Sequence, residues 1–477
     1  MSGSQFVTRR WRVASATAAV AAVALLAGAG WGGVAAAAPS QPAVHRGPTS
    51  ADWAGYLNGP QHTSYNPAEK TITAANAAKL QTRWERIDIS FLASPTVADG
   101  SVFVGSADGE FYKFGLKHGA TQAKVFLGLV PKGTCSDPIG VADTATVAVD
   151  PRSHQDTVYV GGADGYLHAL NASNLTQRWK SVIALPSKTG STYFDWSSPT
   201  IANGVIYIGV SSDCSNPLVR GAVIAYSQAT GKKLAETYMV PAGRVGGGVW
   251  SSVGVAPGGD VYATVGSGPM TGNVRLGHSE SIVKLAPKTL KVLGAWQIPG
   301  PPVSYDTDFG ASPVFFGPYV GACNKDGIFY AVRQSDMKLA WQRTIGVRYN
   351  SAVLAECSAT PVYNGKDLFF GGTGVKINGK SYRGSVQERV ASSGKLVWET
   401  GLPEGVIGSP TMDGAGVIAV GTFDDGPTTN QTYLVKAANG KILKDLTSGE
   451  DWSQSVFADG VLVTANLGDI IAWQPRT

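Results

Sequence analysis

The chain has 477 residues, of which 60 are Gly and 12 Trp; 43% are hydrophobic and only 15% charged. That balance excludes a disordered tail protein, a coiled coil and a charge-driven nucleic-acid binder. The formal net charge is +5, and the length is compatible with two or three ordinary domains or with one long all-β domain.

The basic excess belongs to the N-terminus. Arg9, Arg10 and Arg12 precede an Ala/Val/Leu-rich run from Ala14 to Gly28, and Ala35-Ala36-Ala37-Ala38-Pro39 follows. A charged n-region, an apolar h-region and a small-residue site describe an export signal over residues 1–38, cut after Ala38, with 39–50 a flexible start to the mature chain. Thr8-Arg9-Arg10 also resembles a twin-arginine signal, so Sec and twin-arginine export both stay open. Without residues 1–38 the chain holds 36 basic against 34 acidic residues, a net of +2. No later segment reaches the roughly 18 apolar residues of a membrane span. The expectation is a secreted, extracytoplasmic protein with no membrane span after cleavage and no nucleic-acid partner. Cys135, Cys214, Cys323 and Cys357 then read as disulfide cysteines. With no Cys-x-x-Cys or Cys-x-x-Cys-His, no c-type haem and no zinc knuckle is encoded.

A cassette recurs from residue 94 onward: a Ser-Pro-Thr-like start, a turn, an apolar strand ending in Gly, a second Gly turn, another strand, then Gly-Lys and a Trp-bearing strand. One copy runs Ser94-Pro95-Thr96, Val102-Phe103-Val104-Gly105, Gly109-Glu110-Phe111-Tyr112; others begin near Thr144, Ser198, Ser252, Ser312, Thr360, Ser409 and Ser455. The second strands, such as Val205-Ile206-Tyr207-Ile208-Gly209, are apolar at consecutive positions, as strands packed on both faces require. Eight such units predict a single all-β, eight-bladed β-propeller of four-stranded antiparallel blades over residues 51–477. Trp179, Trp296, Trp341 and Trp398 are expected between neighbouring blades. The eighth copy stops after Asp469-Ile470-Ile471-Ala472-Trp473, one strand short. Leu80-Gln81-Thr82-Arg83-Trp84, upstream of the first copy, has the missing pattern and is predicted to close the ring, removing its open edges. In this arrangement Cys135 and Cys357 stand near first-strand starts, and Cys214 and Cys323 near second-strand ends. Blade adjacency favours Cys135–Cys214 and Cys323–Cys357 among the three pairings four cysteines allow.

The stretch from Gly384 to Trp398, above all Ser393-Gly394-Lys395-Leu396-Val397-Trp398, resembles the pyrroloquinoline-quinone (PQQ) propeller repeat. Gly246-Gly247-Gly248-Val249-Trp250-Ser251-Ser252, Asp306-Thr307-Asp308-Phe309-Gly310-Ala311-Ser312-Pro313 and Asp52-Trp53-Ala54-Gly55-Tyr56 are similar to quinoprotein alcohol dehydrogenases, particularly the polyvinyl-alcohol dehydrogenase branch. The resemblance implies that Trp250 provides the floor on which PQQ stacks, that Asp308 is the catalytic base for the alcohol proton, and that Lys325 contacts the quinone oxygens. It also implies a calcium site, for which Asp213, Asn216 and Ser267 are the candidates. The chain departs from the family at Ala93, where a Glu is usual, at Ser267 in place of an Asn, at Trp196 near a usual Thr, and at Cys135, which is followed by Ser136 and not by a second Cys.

Elementary chemistry agrees with the three main roles. A planar, electron-poor anionic ring suits an aromatic face and a nearby cation, and an alcohol needs a carboxylate within hydrogen-bond reach. Asp195-Trp196, Glu356, Glu404 and Asp451-Trp452 also precede first strands and place acids and aromatics around the same mouth, a surface suited to hydroxylated ligands. Two functions follow from the sequence. One is a quinoprotein-type dehydrogenase acting on a small alcohol or hydroxylated polymer and passing electrons to a separate acceptor. The other is a non-catalytic propeller binding protein or polysaccharide through its rim.

Overall fold

A computed structural model describes residues 48–49, 51–87, 89–91, 93–130, 139–185, 193–213, 218–268, 275–300, 306–347, 357–423, 430–448 and 453–476. The export signal, most of 39–50, and Cys135, Cys214, Asn216, Glu356, Asp451 and Trp452 lie outside them. The described residues form the eight sheets of a propeller, each with a four-stranded antiparallel core whose strands are consecutive in the chain in blades 1 to 7, and two of the sheets gain a short fifth strand. Blade 1 is Thr96–Ala98, Ser101–Gly105, Glu110–Gly115 and Thr121–Phe126. Blade 8 is Val456–Ala458, Val461–Ala465 and Asp469–Pro475, and Leu80–Ile87 supplies its fourth strand, with Glu85 opposite Ile471. The orphan segment found in the sequence therefore does close the ring.

Each blade buries both faces. Second and third strands such as Val205–Ser212 and Ala222–Ser227 are buried almost throughout, because each packs on one neighbouring blade per face. The fourth-strand tryptophans join blades in a specific way. Trp84, Trp179, Trp341 and Trp398 each lie on a glycine of the next blade's last turn, namely Gly119, Gly231, Gly394 and Gly440. Those glycines have φ between +63° and +70°, and an added Cβ would come within 2.5–2.7 Å of the indole. Only a residue without a side chain satisfies both the turn and the contact.

The Ser and Thr that open the cassettes do more than begin strands. The backbone N–H of each donates to the hydroxyl of its counterpart in the next blade: Ser94 to Thr144 (3.2 Å), Thr144 to Ser198 (2.9 Å), Ser198 to Ser252 (2.9 Å), Ser252 to Ser312 (2.9 Å), Ser312 to Thr360 (2.9 Å) and Thr360 to Ser409 (3.0 Å). Gln454 N–H donates to Ser94 Oγ at 2.8 Å across the closure. A buried belt of hydroxyl-to-amide bonds thus spans seven of the eight blade junctions around the axis.

The segment Trp53–Asn66 covers one end of that axis by moving from blade to blade. Trp53 exchanges backbone bonds with Val97 of blade 1; Ala54 O accepts from Val147 of blade 2, Pro60 O from Val255 of blade 4, Gln61 O from Phe315 of blade 5, Thr63 O from Tyr363 of blade 6, and Ser64 O from Met412 of blade 7. Asn66 Nδ2 reaches Phe457 O of blade 8 at 2.9 Å. The blade residues involved lie on first strands or follow them out of the belt, so this plug lies on the far side of the belt from the loops that precede the cassettes. Gln454, which has no hydroxyl to give the belt, instead holds the plug: its Nε2 donates to Ser64 Oγ at 2.6 Å and its Oε1 accepts from Leu57 N–H at 3.2 Å. Non-glycine residues Leu57, Asn58, His62 and Ser64 take positive φ, a strained conformation retained only where surrounding bonds dictate it. His62 is buried with Nδ1 2.9 Å from Pro313 O, which requires Nδ1 to carry the proton; burial lowers its pKa to about 4.

Two measurements check this architecture. Ser252→Ala leaves the buried amide of Ser198 without its acceptor and is expected to lower unfolding free energy by about 1–3 kcal/mol, read as a lower chemical-denaturation midpoint with unchanged far-UV circular dichroism. Because His62 titrates near 4 when folded and near 6.5 when unfolded, its contribution is complete above pH 6.5 and is lost as the pH falls toward 4, by at most about 3 kcal/mol. His62→Gln should flatten the stability profile across that interval.

Candidate functional site

Trp250 stands two residues before Ser252 of the belt and Asp308 four before Ser312, both on the side away from the plug. Lys325 follows the strand Tyr319–Cys323 by two residues, and its N–H donates to Asp308 O at 2.9 Å. Because antiparallel strands return, the loop before a first strand and the turn after a second strand meet at one end of the propeller. The fold brings all three residues together there.

Trp250 Nε1 donates to Asp308 Oδ2 at 3.2 Å, and Ser267 N–H donates to Asp308 Oδ1. Lys325 Nζ lies 2.7 Å from Asp306 Oδ1 and 3.5 Å from Asp308 Oδ2, and 5.2 Å from the centre of the Trp250 ring. Burial pushes the Asp308 carboxyl upward, but the Lys325 charge and the bonds from Ser267 and Trp250 outweigh it and hold the group below the usual carboxylate range. Burial likewise disfavours the Lys325 cation, while Asp308 and Asp306 more than compensate and raise it. The cluster thus sets the Lys325 ammonium group between the Asp306 and Asp308 side chains, over an indole face. Asn324 fixes the turn: its Nδ2 donates to Thr307 O at 2.7 Å and its Oδ1 accepts from Asp326 N–H at 2.9 Å.

Glycines let backbone approach these groups. A Cβ on Gly310 would lie 2.9 Å from the Trp250 ring edge, and one on Gly266 would lie 2.8 Å from Asp308 Oδ1. Ser358 Oγ, 3.0 Å from that Gly310 position, is buried without a hydrogen-bond partner among the described residues. An aromatic face with a cation above it, an ionised carboxylate at its edge and an unused hydroxyl fit a planar, oxygen-bearing, electron-poor ring. Cys323 and Cys357 are joined in a disulfide with Cα atoms 5.1 Å apart, which ties the strand leading to Lys325 to the residue before Ser358.

The remaining sequence candidates are more scattered. Ser267 Oγ accepts from Thr307 N–H at 3.1 Å, so this hydroxyl serves the loop of Asp308. Asp213 is buried. No group of three or more His, Cys, Asp or Glu able to hold a metal occurs among the described residues. Ala93 is buried in an apolar cluster with Trp53 and Phe91. Trp196 donates to Ser212 O at 3.3 Å and packs on Phe194 at 4.6 Å. Glu404 is buried and accepts from Tyr433 Oη at 3.3 Å. Sequence reasoning did not assign functional roles to Asp306, the nearer partner of Lys325, or to Ser358. Asp306 was legible in Asp306-Thr307-Asp308, where alternate positions share a direction; Ser358 is recognisable only from its missing partner.

The family model described as outer membrane protein assembly factor BamB matches residues 137–358. No curated protein matches the chain. Among solved structures, quinohemoprotein alcohol dehydrogenase from Comamonas testosteroni is similar with a TM-score of 0.71 and 17% identity, over 90% of this chain and 82% of that one. A europium-containing methanol dehydrogenase gives 0.69 and 14% identity, over 89% and 98%. BamB from Moraxella catarrhalis gives 0.54 and 12% identity, over 83% and 96%. Identities this low speak for the fold alone. The chain is an eight-bladed PQQ-like β-propeller, related in fold to quinoprotein alcohol and methanol dehydrogenases and to BamB-like proteins.

Proposed function

We propose that the chain is an exported quinoprotein-type dehydrogenase that oxidises an alcohol and passes the electrons to a separate acceptor. The observation that carries this reading is the convergence of Trp250, Asp308 and Lys325 from three loops of two adjacent blades, with Asp308 held ionised. Trp250 would carry a planar quinone on its face, and Lys325 would place its charge beside the ring oxygens. When bound, the quinone supplies the two-electron acceptor for the hydride of the alcohol.

The chain's own residues handle the proton. Asp308 is fixed from two sides by Trp250 Nε1 and Ser267 N–H, and its depressed pKa keeps it ready to accept the hydroxyl proton at neutral pH. Lys325 neutralises part of the charge of Asp306 and Asp308, so a second anionic group can approach. The plug over the far end of the axis leaves the loop-bearing end as the side from which an alcohol enters. A propeller that binds a partner without chemistry is the second reading, favoured by buried, apolar Ala93 where the resemblance calls for a Glu.

Adding PQQ, with and without calcium, to the purified mature chain tests the first reading. Saturable absorbance changes and dye-linked oxidation of short alcohols or polyvinyl alcohol are expected. Trp250→Ala should weaken quinone binding about tenfold or more, and Asp308→Asn should leave binding in place while lowering turnover about 100-fold or more. No saturable binding, or full turnover in Asp308→Asn, sinks the assignment. The Lys325→Met variant removes the largest influence opposing burial at Asp308 and leaves only the bonds from Ser267 and Trp250, so the acid limb of the pH–rate profile should move to higher pH; an unmoved limb removes Lys325 from that role.

A further inference from the structure

Away from the Trp250 cluster, blades 2 and 3 bury two carboxylates against each other. Asp143 is 1% exposed and Asp195 8%. One oxygen of each is anchored by backbone: Gly161 N–H donates to Asp143 Oδ2 at 2.6 Å, and Ser197 N–H donates to Asp195 Oδ1 at 3.1 Å. The other oxygens, Asp143 Oδ1 and Asp195 Oδ2, are buried with no hydrogen-bond partner among the described residues. Both side chains converge on Gly161. A Cβ there would overlap Asp195 Oδ2 and lie 3.0 Å from Asp143 Oδ2.

The repeat itself shows that these acids are not required by the fold. Asp195 stands three residues before its belt hydroxyl. The corresponding residues of blades 1, 2, 4, 5, 6 and 7 are Phe91, Val141, Val249, Phe309, Cys357 and Val406, all at most 1% exposed. The valines press on a glycine of the preceding blade's second strand: a Cβ added there would come within 2.5 Å of Val141 at Gly105, within 2.6 Å of the Val249 side chain at Gly209, and would overlap Val406 at Gly371. Asp195 makes that same contact with Gly161, but through a carboxylate oxygen. Asp143, one residue before its belt position, replaces residues as small as Ala93, Ser197, Ser251, Ala311 and Ala359. A valine at position 195 would pack there without desolvating a charge, whereas an uncompensated buried carboxylate is among the costliest groups a protein can hold. No Lys, Arg or His is bonded to either carboxylate among the described residues. An orphaned buried oxygen of this kind calls for a bound ion, water or proton.

We infer that Asp143 and Asp195 form a site for a hard divalent cation of the magnesium or calcium class, liganded by Asp143 Oδ1 and Asp195 Oδ2, with water or a ligand oxygen completing the shell. Magnesium in particular is held by one or two carboxylates while keeping several waters, whereas calcium would draw more of its six to eight oxygens from a bound ligand. The site is distinct from Trp250, Asp308 and Lys325 and from the Asp213 and Ser267 positions, and it stands whether or not a quinone binds. Both acids precede belt residues on the side away from the plug, at the end of the propeller where the Trp250 cluster lies. A cation there would offer a hydroxylated or anionic ligand a second point of attachment.

The test is the thermal midpoint of the chelator-treated mature chain with added magnesium or calcium, together with terbium luminescence excited through tryptophan. Wild type should gain several degrees and a saturable terbium signal. Asp195→Val, which installs the residue of the sister blades, should remain folded and be at least as stable in chelator, with both responses lost. Asp143→Asn should weaken terbium binding tenfold or more. Trp250→Ala should keep the cation-induced gain, which separates this site from the proposed quinone site. If wild type shows neither response while acidification alone stabilises it, the carboxylates share a proton and the cation site is refuted. Terbium binding undiminished in both Asp143→Asn and Asp195→Val refutes it equally.

Discussion

The belt of hydroxyl-to-amide bonds is the constraint on which the rest depends. Each blade must meet the next at a fixed height along the axis, or the tryptophans of one blade would miss the glycine turns of its neighbour. A buried amide has to find an acceptor, and at seven of the eight junctions it finds the Ser or Thr hydroxyl at the equivalent position of the following blade. The bond therefore sets register between sheets that share no ladder. Val141, Val249 and Val406 meet the glycines of the preceding blades because the belt has already fixed their backbones three residues downstream.

The same constraint divides the molecule into two ends with different freedoms. On one side the first strands and the residues leading out of them are committed to the plug, through backbone bonds in six blades and the Asn66 side chain in a seventh, and a substitution there disturbs several contacts at once. On the other side, residues one to four positions before the belt hydroxyl have their main chain fixed but their side chains free to differ among blades. Trp250, Asp308, Asp143 and Asp195 all occupy these positions. Side chains can differ there from blade to blade because changing one does not move the blade.

Much of the architecture was legible in the sequence because the repeat is written in side chains. Gly-ended apolar strands give the number of blades, and the unfinished eighth copy together with Leu80–Trp84 gives the closure. The plug was not legible, since its bonds to the blades are almost all main-chain bonds and Trp53–Asn66 has no period to detect; positive φ at Leu57 or His62 has no signature in residue type. Trp250, Asp308 and Lys325 were picked out by resemblance and by charge and aromatic character, but Asp306 as the nearer partner of Lys325 emerges only in three dimensions. Asp195 was visible as a rim acid, yet its burial against Asp143 was not. Detecting that pair requires the cassettes to be superposed, which shows an acid in a valine's place.

The same cassette position also helps to hold the site end rigid. Cys357 occupies the position of Asp195 in its own blade, three residues before the belt hydroxyl of Thr360, and its disulfide to Cys323 fixes the strand end from which Lys325 projects. Where other blades rely on a valine or phenylalanine wedged against a neighbouring strand, this junction is covalent. It lies where the Lys325 cation stands beside the buried Asp308 carboxyl. Losing that register would weaken the coupling between Lys325 and Asp308, the largest of the influences that hold Asp308 below the usual carboxylate range. Two blade junctions thus depart from the apolar pattern at the same cassette position. One installs a bond that holds charges in place, and the other installs the charge itself.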